Sequence, residues 1–328
     1  GMTFEEWRQM WRTELMTEKR TGCIKALAAF GRAGRAAEAA EAILDVAGEY
    51  DCLILESNAE GKLKKSIIEE LTKLPTSVWL EPLLARFQND DEKWYGLASH
   101  SFGKIKELDE PSRQIILELA NTENKLQFEA EAAIVRSDLQ LEHPETIDLA
   151  RRILNGKQPI RVIELLRFSH LEQLPEQFDL FFHEDGNIRN WTRFIFATYG
   201  TNNTTAIFDR LIGVVNDPTQ SEKHVYAIRA ITAQNSEVDK RQVIDFLLKI
   251  AGEGDEQLLG PALTGLQKYL ATSLGDVVTT IVEDADLSED RNELLRDEKK
   301  IQEIVEHDEE ATKAINQSFG VGRGGGIF

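Results

Sequence analysis

Arginines and aromatic side chains are concentrated in one stretch of this sequence, between residues 151 and 199. Residues 151–193 contain seven basic and six acidic side chains, whereas the whole chain of 328 residues carries a net charge of −19. Protein interfaces are enriched in arginine and aromatic residues. The basic residues are Arg151, Arg152, Lys157, Arg161, Arg167, Arg189 and Arg193, and the aromatic ones are Phe168, Phe178, Phe181, Phe182, Trp191, Phe194, Phe196 and Tyr199.

This stretch has two interpretations. The favoured one is a packed core whose flanking arginines lay their apolar stems along it and keep their charged ends in water. The other is a contact site for a partner protein. The candidate contact residues would then be Arg161, Arg167, Arg189, Trp191 and Arg193.

Residues that could carry catalysis or hold a metal form no motif in this sequence. No two of the six histidines are four residues apart, and His183–Glu184 is the single His-Glu dipeptide. Neither a Gly-x-Ser-x-Gly elbow nor a phosphate-binding glycine loop is present. Cys23 and Cys52 lie on apolar stripes, where small buried thiols are expected. The sequence therefore predicts a protein that is not an enzyme, with no catalytic, cofactor-binding or metal-binding residue and no cofactor.

Amphipathic helices must position these side chains. Apolar residues recur at positions i, i+3, i+4 and i+7, and Gly, Pro, Asn and Asp separate one stripe from the next. Strand signals are nearly absent, so we expect an all-α chain. About eight pairs of such stripes follow one another at a period of roughly 31–36 residues, which is typical of stacked helical repeats. The pairs cover residues 23–47, 63–87, 95–120, 128–154, 160–182, 191–215, 225–251 and 258–282.

Three segments carry a resemblance to a known class of repeats. Residues 23–31 (CIKALAAFG), 226–231 (YAIRAI) and 262–266 (ALTGL) each open a helix with an Ala-x-x-Ala-Leu-like pattern. Over residues 21–285 the chain resembles the HEAT and armadillo class of helical repeats. The resemblance implies a right-handed α-solenoid, an α–α superhelix of about eight stacked hairpins. It also implies a concave face, lined by the second helix of each pair, that binds proteins.

The amino end, residues 2–20, is expected to form a capping helix. Thr3 followed by Glu6 fits a capping box, and Phe4, Trp7, Trp11 and Leu15 share one helical face. The favoured interpretation is a helix folded over the first repeat, since terminal repeats need a cap. In the alternative, Trp7 and Trp11 form an exposed ridge that contacts a partner.

The carboxyl end is predicted to consist of two parts. Residues 286–318 form an acidic helical segment in which Ile301, Ile304, Val305 and Ile315 recur at helical spacing. This segment could close the last repeat or form a partly detached helix. Residues 319–328 form a glycine-rich tail that is flexible or inserts its apolar end, including Phe328, into a groove of this or another protein.

The net charge of the chain limits the kinds of partner that we expect it to bind. Nucleic-acid binders need a basic stripe to neutralise phosphates, so the net charge of −19 argues against nucleic acid and against anionic membranes. The negative charge favours a protein partner, and a basic protein would be complementary to it in charge. We also expect a cytoplasmic protein. The leading hypothesis is a protein-interaction scaffold. The alternatives are an enzyme resembling DNA-repair or cofactor-lyase proteins on the same fold, and a self-associating structural subunit.

Overall fold

The protein is all-helical over the residues that the computed structural model describes, which are 1–14, 16–49, 58–199, 203–233, 238–284 and 287–318. No strand occurs in these ranges. The chain divides into two compact units, Gly1–Ala150 (unit 1) and Arg151–Phe328 (unit 2). Among the described helices, none combines the length and apolar character that crossing a bilayer requires.

In unit 1, helices contact the next but one along the chain, and some also contact the next, as α5 does with α6 and α7 with α8. Helices α2, α4, α6 and α8 follow one another in one row, and α3, α5 and α7 follow in a second. A continuous apolar core runs through the unit from Phe4 to Leu149. The helices are α1 (Phe4–Thr13), α2 (Thr17–Phe30), α3 (Ala36–Glu49), α4 (Asn58–Leu71), α5 (Thr76–Asn89), α6 (Asp91–Phe102), α7 (Glu110–Ala120), α8 (Gln127–Ser137) and α9 (Pro144–Leu154), which crosses the boundary to unit 2.

The predicted capping box at the start of α1 is confirmed. The Thr3 backbone N–H donates to Glu6 Oε2 at 2.6 Å, and the Glu6 N–H donates to Thr3 Oγ1 at 3.3 Å. The Thr3 hydroxyl also donates to Glu6 Oε2, at 3.0 Å. The two bonds from Thr3 to the carboxylate stabilise its charge and lower the pKa of Glu6. Helix α1 packs on α2, and the Phe4 ring meets Phe30 edge-on at 5.7 Å.

The predicted break between the first two stripes is also confirmed. Gly31–Arg35 form a π-helical turn in which Gly34 has φ +110°, a left-handed conformation that favours glycine. A Cβ on Gly31 would lie 2.6 Å from Leu74 Cδ2 and 2.8 Å from Ala39 Cβ. The turn therefore needs one glycine for its backbone angle and another for close packing.

Unit 2 contains the helices that carry the candidate site. Helix α14 contacts α13 and α16, while α16 also contacts α15, α17 and α19. Helix α12 contacts α10 and α19. The helices are α10 (Ile160–Leu166), α11 (Glu176–Asp179), α12 (Gly186–Thr198), α13 (Thr204–Asn216), α14 (Ser221–Ile231), α15 (Lys240–Glu253), α16 (Glu256–Leu270), α17 (Leu274–Asp284), α18 (Glu289–Arg296) and α19 (Glu298–Ser318), with 3₁₀ turns at Leu180–Phe182 and Pro218–Gln220.

An aromatic cluster forms the core beneath α12. Phe168 stacks on Phe181 at 5.5 Å and meets Phe196 edge-on at 6.2 Å, and all three rings are fully buried. Phe168 has φ +60°, and the Asn203 side chain donates to its carbonyl oxygen at 2.9 Å. The core interpretation of the aromatic stretch is therefore confirmed for these rings.

Helix α19 lies against α16 through a narrow apolar stripe. Ile301 and Val305 are buried, whereas most of the remaining described side chains of α19 are exposed. Gly260 on α16 permits the approach, because a Cβ there would lie 3.2 Å from both the Asp308 Cβ and the Ile304 carbonyl oxygen. This part of the acidic segment is therefore packed against the unit. The side chain of Ile315, residues Leu15 and Cys52, and the tail 319–328 lie outside the described residues.

Replacing a glycine at a helix contact should destabilise unit 2. A Cβ at Gly265 would lie 2.3 Å from Thr232 Cγ2 and 3.0 Å from Leu247 Cδ1, so Gly265→Ala must displace buried side chains. We expect a loss of about 1–3 kcal/mol in the free energy of unfolding, measured by urea denaturation.

Gly213→Ala on α13 is the matched control, since a Cβ there meets nothing within 4 Å. It should gain about 0.5–1 kcal/mol from the reduced flexibility of the unfolded chain. Equal effects of the two substitutions would contradict the proposed close packing.

Candidate functional site

Helix α12 and the residue that follows it expose three aromatic side chains to solvent, Trp191, Phe194 and Tyr199, which we define as the aromatic patch. Their exposed fractions are 42, 51 and 39%. Trp191 and Phe194 are three residues apart, so they share a helical face, and their rings meet edge-on at 5.5 Å. The guanidinium of Arg167 lies over the Tyr199 ring, 4.6 Å from its centroid. These three rings are therefore not part of the buried core that the favoured interpretation of the sequence expects, and the contact interpretation stays a prediction for Trp191.

A second feature, the arginine cluster, is formed by Arg189 and Arg193 of α12 and Arg229 of α14. Asp308 of α19 reaches this cluster and accepts a 2.6 Å hydrogen bond from Arg229 Nη2. Its other oxygen accepts a hydrogen bond from Thr264 Oγ1 of α16 at 3.1 Å. The carboxylate therefore links α14, α16 and α19, and its side chain is only 7% exposed.

Arg193 is the member of the cluster whose positive charge is disfavoured by its surroundings. Burial disfavours its cation, and the charges of Arg229 and Arg189 repel it, which together lower the pKa of Arg193 to about 10. Among the groups that shift the pKa of Arg193, only Asp308 raises it. No described residue accepts a hydrogen bond from its guanidinium. At neutral pH Arg193 is thus a partly buried cation with unused donors.

Arg189 is held by the turn that precedes α12. Its Nη1 donates to the carbonyl oxygens of His183 and of Glu184, the latter at 2.8 Å. Its guanidinium also lies over the Tyr226 ring, 4.4 Å from the centroid, a favourable cation–π geometry. Asp185 fixes the start of α12 by accepting from the Asn187 N–H at 2.8 Å. The short turn therefore orients Arg189 toward α14.

The structure separates the sequence-predicted contact residues into different environments. Trp11 is 3% exposed and lies under the guanidinium of Arg20 at 5.1 Å. It belongs to the packing of α1, as the capping interpretation expects, and is no longer a contact candidate. Trp7 and Arg161 are half-buried. Phe328 lies outside the described residues.

Three residues of the site were not predicted from the sequence, namely Arg229, Thr264 and Asp308. Arg229 and Asp308 are 79 positions apart. Arg229 drew attention only as part of the repeat-like segment 226–231, and Asp308 belongs to no motif. Within the described part of the chain, no group of three or more His, Cys, Asp or Glu side chains could hold a metal ion. Cys23 is buried, and this burial raises the pKa of its thiol.

Comparison with known proteins finds no protein family, curated protein or solved structure that matches this chain. The functional argument therefore depends on the side chains of unit 2 and their geometry.

Removing the carboxylate of Asp308 should destabilise the protein. Asp308→Ala removes the carboxylate that, among the described residues, forms an ion pair with the Arg229 guanidinium, whose side chain is 15% exposed. Breaking a buried ion pair on one side costs about 3–5 kcal/mol, so we expect a loss near 3 kcal/mol in urea denaturation.

Glu303→Ala is the matched control on the same helix. Its carboxylate is 63% exposed and lies 3.7 Å from Lys299 Nζ, and such surface pairs contribute at most about 1 kcal/mol. If the two variants unfold at the same urea concentration, Asp308 is not the buried link described above.

Proposed function

We propose that the protein is a non-catalytic protein-binding adaptor that contacts its partner through the aromatic patch of α12. The observation that carries the proposal is the concentration of exposed rings on this helix. The described residues contain six large apolar side chains with high exposure, and three of them are Trp191, Phe194 and Tyr199. Adjacent exposed apolar residues of this kind mark interaction sites, whereas isolated ones do not.

The helix contacts support a HEAT-like solenoid as the scaffold. Rows in which α2, α4, α6 and α8 touch in turn, beside a row of α3, α5 and α7, are expected when helical hairpins stack. Most of the apolar stripes of the sequence fall within described helices, which is compatible with stacked hairpins. We propose on this basis a right-handed α-solenoid of about eight hairpins.

The side chains of the patch are of the types that contribute most to the free energy of protein binding. Trp, Tyr and Arg supply most of the hot spots in protein interfaces, because they bury large areas at low entropic cost. Trp191 and Phe194 can bury their rings together, and Arg167 above Tyr199 adds a charge at the edge. The overall charge of −19 favours a basic partner, but Arg167 favours an acidic edge where the partner meets this patch.

A partner that uses the patch should lose affinity when the rings are removed. We expect Trp191→Ala combined with Phe194→Ala to weaken binding at least 30-fold, since hot-spot side chains contribute about 2 kcal/mol or more. The partner is first identified by affinity capture from cells in which the protein is native. The two purified proteins are then titrated by calorimetry.

Leu139→Ala provides the control, because Leu139 is also apolar and 43% exposed but lies on unit 1. It should leave the affinity unchanged. A partner whose titration is unaffected by loss of both α12 rings would contradict the proposal. Concentration-dependent dimerisation that the double variant abolishes would instead assign the patch to self-association.

A further inference from the structure

Two ion pairs connect helices α1 and α3, which both pack on α2 in unit 1. Arg8 Nη2 donates to Asp45 Oδ2 at 2.8 Å, and one helical turn later Arg12 Nη2 donates to Glu49 Oε1 at 2.8 Å. Each pair joins residues 37 positions apart, so the two helices run side by side in the same direction. We call this row of arginines facing carboxylates the α1–α3 ladder.

The ladder has no arginine at its first position, where a groove opens instead. One turn before Arg8, the same separation of 37 positions places Phe4 opposite Glu41. The groove between the two helices has a volume of about 340 Å³. Its floor is apolar and its rim is charged. It is lined by Phe4, Glu5, Arg8, Ala37, Glu38, Glu41 and Ala42.

The arginines beside the groove are already bound to carboxylates of the chain. Arg35 donates to both carboxylate oxygens of Glu38, and Arg8 donates to Asp45. Neither cation is therefore available to neutralise a further carboxylate in the groove.

Two carboxylates of the groove keep unused acceptor atoms. Glu41 accepts a 2.7 Å hydrogen bond from Arg86 through Oε2, and no described residue donates to its Oε1. The carboxylate of Glu5 forms no hydrogen bond or ion pair with a described residue, apart from a longer-range attraction to Arg35. The offset of the ladder places Glu5 level with Glu41 on the facing helix. The groove thus offers acceptors on both of its sides to a cation from outside the chain.

The groove suits a basic side chain better than a metal ion or a free amine. Within the described ranges, no group of three or more His, Cys, Asp or Glu side chains could hold a metal ion. A lysine or arginine carries methylene groups that can lie on Phe4 and Ala42 while its charged end meets the carboxylates. An exposed ion pair strengthens binding only about fivefold at most, so the cation must belong to a larger molecule that makes further contacts.

We propose that the groove between α1 and α3 receives a lysine or arginine side chain of a basic partner protein. Glu5 and Glu41 bind its charge, and Phe4, Ala37 and Ala42 contact its stem. The net charge of −19 attracts such a partner over a longer range. The groove belongs to unit 1 and the aromatic patch to unit 2, so the proposal does not depend on the patch.

The experiment uses the full chain and a short fluorescent peptide in which lysine alternates with alanine. Binding is measured by fluorescence anisotropy at low and at physiological salt. We expect saturable binding that weakens as salt screens the charges. The same peptide with acetylated lysines retains its stems but loses its charge, and should bind at least about tenfold more weakly because each acetylated lysine loses its ion pair.

Removing the two carboxylates should weaken binding of the lysine peptide. Glu5→Gln combined with Glu41→Gln should lower the affinity about fivefold or more, since two exposed ion pairs are lost. The matched control is Glu289→Gln combined with Glu303→Gln, which changes the net charge equally. Glu289 is an exposed acid in the first turn of α18, as Glu5 is in α1, and Glu303 is a surface ion-pair partner, as Glu41 is. The control should change the affinity less than about twofold.

A substitution that leaves the charge unchanged tests the shape of the groove. Ala37 is exposed and lines the groove, so Ala37→Phe should fill it and lower the affinity for the lysine peptide about threefold or more, because the stem loses its contacts. Trp191→Ala combined with Phe194→Ala should leave this affinity unchanged. The outcome is therefore distinguishable from that of the test on the aromatic patch.

Several results would overturn the proposal. An equal loss of affinity in the two glutamine pairs would show attraction to the net charge alone. Equal binding of the acetylated peptide would exclude recognition of a cation, and tight binding of free butylamine would make the groove a site for small amines. Dimerisation that the Glu5 and Glu41 substitutions abolish would assign the groove to a second copy of the chain.

Discussion

Burial of one apolar face per helix is the constraint on which this structure depends. A single helical hairpin cannot cover its own apolar face, so each helix must find neighbours on two sides. In unit 1 this requirement is met by contacts with the next helix and the next but one. The same requirement fixes which side chains of α12 are left for other roles, because its buried face is taken by residues such as Ile195 and Phe196.

The remaining surface of helix α12 carries two kinds of side chain. Trp191 and Phe194 lie on the exposed side, while Arg189 and Arg193 lie between that side and the core. The arginines meet α14 and α19 at a place where Asp308 is the bound carboxylate. Exposed aromatic rings and partly buried arginines thus lie on different sides of one helix.

The sequence predicted the helices better than the site. Helical spacing of apolar residues predicted the position of most helices. The Thr3–Glu6 capping box could also be predicted from the sequence, because it depends on two residues only three positions apart. The arginine cluster could not be predicted in full from the sequence, because Arg229 and Asp308 come together only when α14, α16 and α19 pack. Trp11 shows a different limit. Helical spacing identifies a shared face, but it does not distinguish a face that packs on the protein from one that remains exposed.

Gly260 determines how closely helix α19 packs against α16. Because it has no side chain, α19 lies so close to α16 that the Ile304 carbonyl oxygen would be 3.2 Å from any Cβ there. This close approach holds Asp308 beside α16, where the Thr264 hydroxyl donates to its carboxylate at 3.1 Å. A larger residue at position 260 would push α19 and the Asp308 carboxylate away from α16, so the position of the last described helix depends on the smallest side chain of its neighbour.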